Sequence, residues 1–539
     1  MFQGSVLFDT VSGGKSEKRS GESLTGLVTL CNRRLEHMAW FREHRLFIGC
    51  FIALIATAFG FQVRAQMMDT WQVEFELSET EKGEIFGAGL WPMAISIILF
   101  SLVVDFVGYG TAMIFAVICH VLQAVLLYRA DGYTALYWGS ILGALGNGTV
   151  EAVINPVVAT LYPKEKTKWL AILHAGWPGG LVIAGMLFMT IPDSVTWQTQ
   201  VLCCFVPIIA YSVVLLGQKF PIQERVQAGV SYKKMLQEPG IMSWVVVVAL
   251  IVVELSRALH LSVPVSVVLF LVMVVPYAIY VRALGSWMFL VFVLVMMPLA
   301  TTELGTDSWI TPLMSGSFQE FGMDAGWVLV YTSFIMMMLR FFAGPIVHQL
   351  APLSLLALSS GVAVLGLYSL GSVSGMGLIF GAATIYGLGK TFFWPAMLGV
   401  VSERFPQGGA LTLNMVSGCG MLAVGILGAP WLGFVQDRGI QQTLEAEYSV
   451  IAEEVLEPSP DKFLGVVSYE KVKAALEGVS TEQKGIVEEV QEGEKKSVLR
   501  TATILPIGML VVYLWLIVYF KKQGGYQAVT ILEEASPSG

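Results

Sequence analysis

The stretch Gly143-Ala-Leu-Gly-Asn147-Gly-Thr-Val-Glu151-Ala-Val-Ile-Asn155-Pro156, continued across the basic loop Lys164-Glu-Lys166-Thr-Lys168 into Leu173-His174-Ala-Gly-Trp177-Pro-Gly-Gly180, reads as two apolar helices joined by a short turn. Polar and ionisable groups at membrane depth are costly to insert and mark substrate or ion paths. Asn147, Glu151, Asn155 and His174 therefore define the candidate site, and the remaining chain reads as the structure that surrounds them.

The 539 residues are 55% hydrophobic and 13% charged, with a mean hydropathy of +0.69. That balance excludes an ordinary soluble domain and fits a polytopic membrane protein. Apolar runs long enough to span lie at about 46–68, 83–104, 110–128, 134–161, 168–190, 197–217, 241–256, 261–281, 286–312, 325–347, 353–371, 375–402, 409–435 and 500–520. They are continuous, not alternating, so an all-α membrane protein of about 14 transmembrane helices is expected, because a helix satisfies its own backbone in lipid. Cys31, Cys50, Cys119, Cys203, Cys204 and Cys419 have no ligand spacing and imply neither a disulfide framework nor a metal site. No HExxH, Walker, GxSxG or paired CxxC sequence occurs, so nothing supports an enzyme, an ATP-driven pump, a cofactor or a nucleic-acid partner.

Loop charges orient the chain. Lys and Arg dominate the 1–45 tail and the 164–169 and 218–240 loops, while the 69–81 loop is acidic, which by the positive-inside rule places both termini in the cytoplasm of a cell-membrane protein. The expected organisation is a cytoplasmic tail (1–45), a six-helix bundle (46–220), a cytoplasmic linker with an extra transmembrane hairpin (221–285), a second six-helix bundle (286–520) and a cytoplasmic tail (521–539) expected to be disordered. The hairpin reads as a peripheral spacer. Residues 437–498 carry 14 acidic and 7 basic side chains, as expected of an extracytoplasmic insert. Helix-like spacing there covers Leu444–Leu456 and Tyr469–Leu476, with Ser468 as an N-cap for the second.

The two bundles share a register. Phe75 and Gly83 pair with Phe318 and Gly326 at an offset of 243 (318−75, 326−83), as do Asp105 with His348 and Asn147 with Lys390; after the fifth helix the offset becomes 240, pairing Gly180 with Gly420 and His174 with Asn414. Such a register implies parallel repeats about an axis along the membrane normal, with a site between them near the midplane. It also matches Arg64 with Asp307 (307−64 = 243), which predicts an ion pair acting as a gate. Lys390, near the middle of its helix, is expected to pair with Glu303, one turn from Asp307.

Ser101-Leu-Val-Val-Asp105-Phe-Val-Gly108 resembles the loop that follows helix 2 in the major facilitator superfamily, with Ser101 in place of a glycine; its second-half copy ends in His348 where Asp is usual. Within that superfamily, Glu151-Ala-Val-Ile-Asn155-Pro156, Leu173 to Gly180, Glu303 with Trp309, and Gly389-Lys-Thr-Phe-Phe-Trp-Pro395 are similar to the fucose/proton symporter family. The resemblance implies the major facilitator fold of two six-helix pseudo-repeats, a monomer in the lipid bilayer, and sugar uptake coupled to a cation. It places the coupling acid at Glu151, and the family's helix 1 acid aligns with Ala65, beside Arg64.

The leading expectation is a secondary active transporter of a small polar solute, a sugar or sugar derivative, by proton symport. Glu151 would carry the proton, and Asn147, Asn155, His174, Trp177, Glu303, Trp309, Lys390 and Asn414 would face the solute. Arg64, Asp307 and Asp105 would form gate ion pairs. One alternative is an organic-anion porter in which Arg64 and Lys390 clamp a carboxylate or phosphate. Another is a non-transporting receptor or scaffold that uses the 437–498 insert. Asn155-Pro156 also reads as helix architecture, with Pro156 freeing a carbonyl, and His120 as a satisfied packing histidine.

Overall fold

The computed structural model describes residues 17–531, apart from 193, 320, 321, 323, 324, 458, 459, 464–466, 474, 475 and 477. Among them, 13 helices are long and apolar enough to cross a membrane, or 14 when Gly326–Phe341 and Ala343–Gln349, bent by 65°, count as one span. The apolar runs predict this number.

The first half contains α1 (His44–Met68), α2 (Glu81–Val107), α3 (Tyr109–Tyr128), α4 (Tyr133–Leu161), α5 (Lys166–Thr190) and α6 (Trp197–Leu215). The extra hairpin is α7 (Gly240–Ala258) and α8 (Val263–Val281). The second half contains α9 (Trp287–Ser308), α10 (the bent pair), α11 (Pro352–Leu370), α12 (Met376–Arg404), α13 (Pro406–Glu447) and α14 (Thr481–Lys522). The helix that holds α1 reaches back to Glu17, so much of the segment read as a polar tail is helical.

The packing repeats as the 243 register implies. In the first half α1 lies against α5 and α6, α2 against α4, and α3 against α4; in the second half α9 lies against α13 and α14, α10 against α12, and α11 against α12. Contacts between the halves run through α2 with α13, α5 with α10 and α12, and α4 with α13.

The two faces of the bundle differ. At the basic-loop face the halves are latched: Lys166 bonds Ser402 O (3.4 Å) and Glu224 (2.6 Å), Thr167 bonds Glu403 (2.7 Å), and His348 meets Glu165 (3.2 Å). Asp105 belongs to this latch. It pairs with Arg225 of the linker and not with Arg64 or any cation of the chambers, so it is not part of the gate expected for it. At the insert face a cleft opens, walled by Phe86 and Trp91 of α2, Glu254 and Arg257 of α7, and Phe434 and Asp437 of α13.

The hairpin is therefore more than a spacer, since α7 packs on α9 and α13 and supplies one wall of the cleft. Its partner α8 packs on α7 through one face and leaves the other exposed, as an apolar helix can in lipid.

The insert is helical over most of Leu444–Leu456, as its spacing implied, but departs from its sequence reading at Tyr469–Leu476. Helix α13 runs on to Glu447, Ser449–Val455 forms one more helix, and Asp461–Phe463 pairs antiparallel with Val467–Tyr469. Ser468 is thus a strand residue opposite Lys462. The N-cap is Ser480, which forms a capping box with Gln483 at the start of α14. Ile440, Leu444, Val455, Val487 and Val490 close a small apolar core. The C-terminal tail is also placed as far as residue 531: Tyr526 bonds Glu403 (2.8 Å), and Arg404 bonds Gln527 O (2.6 Å); residues 532–539 lie outside the described residues.

Candidate functional site

Below the cleft two connected chambers lie between the halves, with Trp177, Met93, Leu304 and Met421 lining both. The upper chamber is bordered by Arg64, Asn147, Asp307 and Ser308 among mostly apolar side chains. The lower is bordered by Glu151, His174, Glu303, Arg340 and Trp394. Small-molecule sites have this sparse distribution of polar groups on mostly apolar walls.

Helix α4 positions the acid of the first half. Glu151 Oε2 accepts from Asn155 Nδ2 (2.8 Å), and His174 Nε2 of α5 donates to Asn155 Oδ1 (2.9 Å), a chain of three buried side chains. Among the described residues no cation pairs with Glu151. One turn on, Pro156 cannot bond the Ala152 carbonyl four residues back. That carbonyl accepts from Asn414 Nδ2 of α13 (3.0 Å). Asn414 is fully buried and outside both chamber walls, so it joins the halves where a solute contact was expected. Asn414→Ala leaves the Ala152 oxygen unpaired, and the expected cost is about 1–3 kcal/mol, read by thermal unfolding of the detergent-solubilised protein; an unchanged midpoint would mean that the carbonyl finds another partner.

The ion pairs differ from those the register predicts. Lys390 pairs with Asp307, not Glu303, and has Thr332 (3.4 Å) and the Tyr386 ring (4.9 Å) beside it. Glu303 pairs with Arg340 of α10 (2.7 Å), and its other oxygen accepts from Trp394 N (3.2 Å). The reason is local. Thr301–Gly305 is a π-helical turn three residues after Pro298, so Glu303 and Asp307 do not keep the i, i+4 alignment of an α-helix. Tyr386 OH donates to the Thr302 carbonyl of that turn (2.5 Å) and meets Thr306 Oγ1 beside it. A second π turn, Val424–Gly428 of α13, packs against the first so closely that a Cβ on Gly428 would meet Thr301 Oγ1 at 2.6 Å.

Arg340 is the site residue that the sequence reading missed, because it was absorbed into the loop motif ending at His348. It is 1% exposed and donates to Glu303, to Thr391 O (2.6 Å) and, across the halves, to His174 O (2.9 Å). An arginine inside an apolar run three residues before the bend was the available signal.

Arg64 does not reach Asp307 within ion-pair distance, though both border the upper chamber. Asn147 borders the same chamber, and its Oδ1 accepts from His120 Nε2 (2.9 Å), whose Nδ1 meets Tyr211 OH (3.0 Å). His120 is thus a satisfied buried histidine, as its sequence context suggested. The Trp309 side chain lies outside the described residues.

The sequence profile of the Major Facilitator Superfamily matches residues 48–437. No curated protein matches the chain by sequence. A solved proton:xylose symporter, XylE, bound to 6-bromo-6-deoxy-D-glucose is similar at a TM-score of 0.57 and 11% identity, covering 88% of this chain and 96% of that one. The human organic anion transporter MFSD10 (TETRAN) is similar at 0.55 and 12%, covering 87% and 99%. The E. coli fucose:proton symporter FucP gives 0.48 and 14%, covering 85% and 98%. At these identities the likeness concerns the fold alone.

Proposed function

We propose that this chain, which belongs to the Major Facilitator Superfamily and is a multi-pass membrane transporter, moves a small polar solute by proton symport with alternating access, and that Glu151 carries the proton. The observation that supports this most is the contrast between the two buried acids of the lower chamber. Glu303 is neutralised by Arg340, whereas Glu151 has an amide partner and no cation among the described residues. An acid without a fixed counter-ion can gain and lose a proton as access alternates. The chambers open toward the insert face while Lys166, Thr167, Arg340 and Asn414 hold the other face shut, a geometry suited to one end state of such a cycle.

The test is uptake by proteoliposomes with and without an imposed pH gradient. Solute accumulation driven by the gradient supports the reading; uptake indifferent to it sinks proton coupling. A sugar or sugar derivative is the solute that the sequence resemblance implies, in keeping with the xylose symporter among the similar folds. A second reading, an organic-anion porter, is favoured by the unpaired guanidinium of Arg64. A receptor or scaffold working through the insert predicts no uptake at all.

The proposed orientation, insert outside and both termini in the cytoplasm, has its own check. In a variant lacking the native cysteines, a single cysteine within 481–490 should react with an impermeant thiol reagent on intact cells, and one at Lys164 only after permeabilisation. The reverse pattern would overturn the orientation.

A further inference from the structure

Arg64 stands apart from every other charge in the chambers. It is 2% exposed, borders the upper chamber, and lies over Gly89 of α2 so closely that a Cβ there would sit 1.7 Å from Nη1. Its Nη2 makes one long contact, 3.5 Å, to Gly89 O, while Nε and Nη1 have no partner. A guanidinium carries five donors and keeps its charge, and a buried charge is normally paired. The acids nearby are committed elsewhere, Asp307 to Lys390 and Glu303 to Arg340. With those two pairs cancelled and Glu151 protonated, the chambers hold one uncompensated positive charge.

The surroundings say what would compensate it. Asn147 is fixed by His120 at its oxygen, which leaves its N–H₂ as a second donor in the same chamber. The rest of the wall is apolar and aromatic, with Phe61 set between Phe86 (6.0 Å) and Trp177 (5.9 Å). We infer that the solute is an organic monoanion: a carboxylate held by Arg64 and Asn147, on an apolar or aromatic body that rests against Phe61 and Trp177. A dianion such as a phosphate monoester would leave a charge unmatched, and a neutral sugar would leave Arg64 unmatched. The inference rests on the proton reading of Glu151 for one consequence: carboxylate and proton cross together, so each cycle moves no net charge.

The test uses aliphatic and aromatic monocarboxylates, each paired with its uncharged primary amide, and a set of neutral hexoses. Binding is measured on the purified protein by calorimetry and thermal shift. Acids should bind better than their amides. Arg64→Gln should weaken acid binding by about 10- to 100-fold, the range for a hydrogen-bonded charge, and leave the amides unchanged. The ligand-free melting temperature of Arg64→Gln should hold or rise, because an unpaired buried charge is gone, which separates a binding role from a structural one. Gly89→Ala, which displaces the guanidinium without removing its charge, should weaken acid binding as well. In proteoliposomes, compared with protein-free liposomes, a pH gradient should drive acid accumulation and a potassium/valinomycin potential should not. No acid binding better than its amide overturns the inference. A hexose accumulated in response to both gradient and potential, with Arg64→Gln without effect, also overturns it while leaving proton coupling intact. Acid binding that needs Arg64 but ignores the pH gradient sinks the proton reading and leaves the anion site standing.

Discussion

Proteoliposomes carrying Glu151→Gln are expected to exchange labelled solute across the membrane yet lose accumulation driven by a pH gradient. Gln keeps the shape of Glu and an oxygen to accept from Asn155 Nδ2, so the Glu151–Asn155–His174 chain that links α4 to α5 stays in place. It cannot ionise, so no proton rides with the solute. With one proton per solute, a gradient of one pH unit supports at most about tenfold accumulation, and that ratio should fall to about one in the variant. Counterflow, which needs only a working solute site, should persist. Wild-type accumulation by Glu151→Gln would remove this residue from the proton path.

Arg340→Met is expected to be among the most damaging single substitutions in the membrane region. It strands Glu303, 2% exposed, and takes the side-chain donor from two carbonyls, Thr391 O and His174 O. Removing one partner of a buried pair costs about 3–5 kcal/mol, while removing both costs much less. The double variant Arg340→Met with Glu303→Gln should therefore recover most of the stability lost in either single variant, as read from thermal unfolding in detergent. Additive losses would mean that the two side chains do not interact. The same cycle on Arg64 and Asp307, the pair that the repeat register suggests, should give almost no coupling, because Asp307 is held by Lys390.

These cycles also show where sequence reasoning stopped. Spans and repeat were legible because hydropathy and glycine spacing survive at a constant offset, and the same offset recurs in the helix pairs that pack within each half. A register gives depth along a helix and says nothing of rotation about it. Lys390 was given the wrong partner and Arg64 one that it does not reach, since a π turn at Thr301–Gly305 turns Glu303 toward Arg340 and Asp307 is held by Lys390. Pro156 announced a free carbonyl, and only the fold could say that Asn414 of the other half would take it. The insert's strands, three residues each, were too short to leave a period-2 pattern.

The insert is joined to the membrane by two continuous stems, Pro406–Glu447 and Thr481–Lys522. Each, at 42 residues, is about 63 Å long, roughly twice the hydrocarbon thickness. Any tilt of α13 within the bilayer is consequently magnified at the far end, like the motion of an oar about its rowlock. A tilt of about 15° would carry a tip about 30 Å beyond the pivot through about 8 Å. An antibody fragment that ties this blade to the 75–78 turn would therefore arrest transport from the insert face without touching the solute chamber, and a fluorophore on Glu482 would report each stroke.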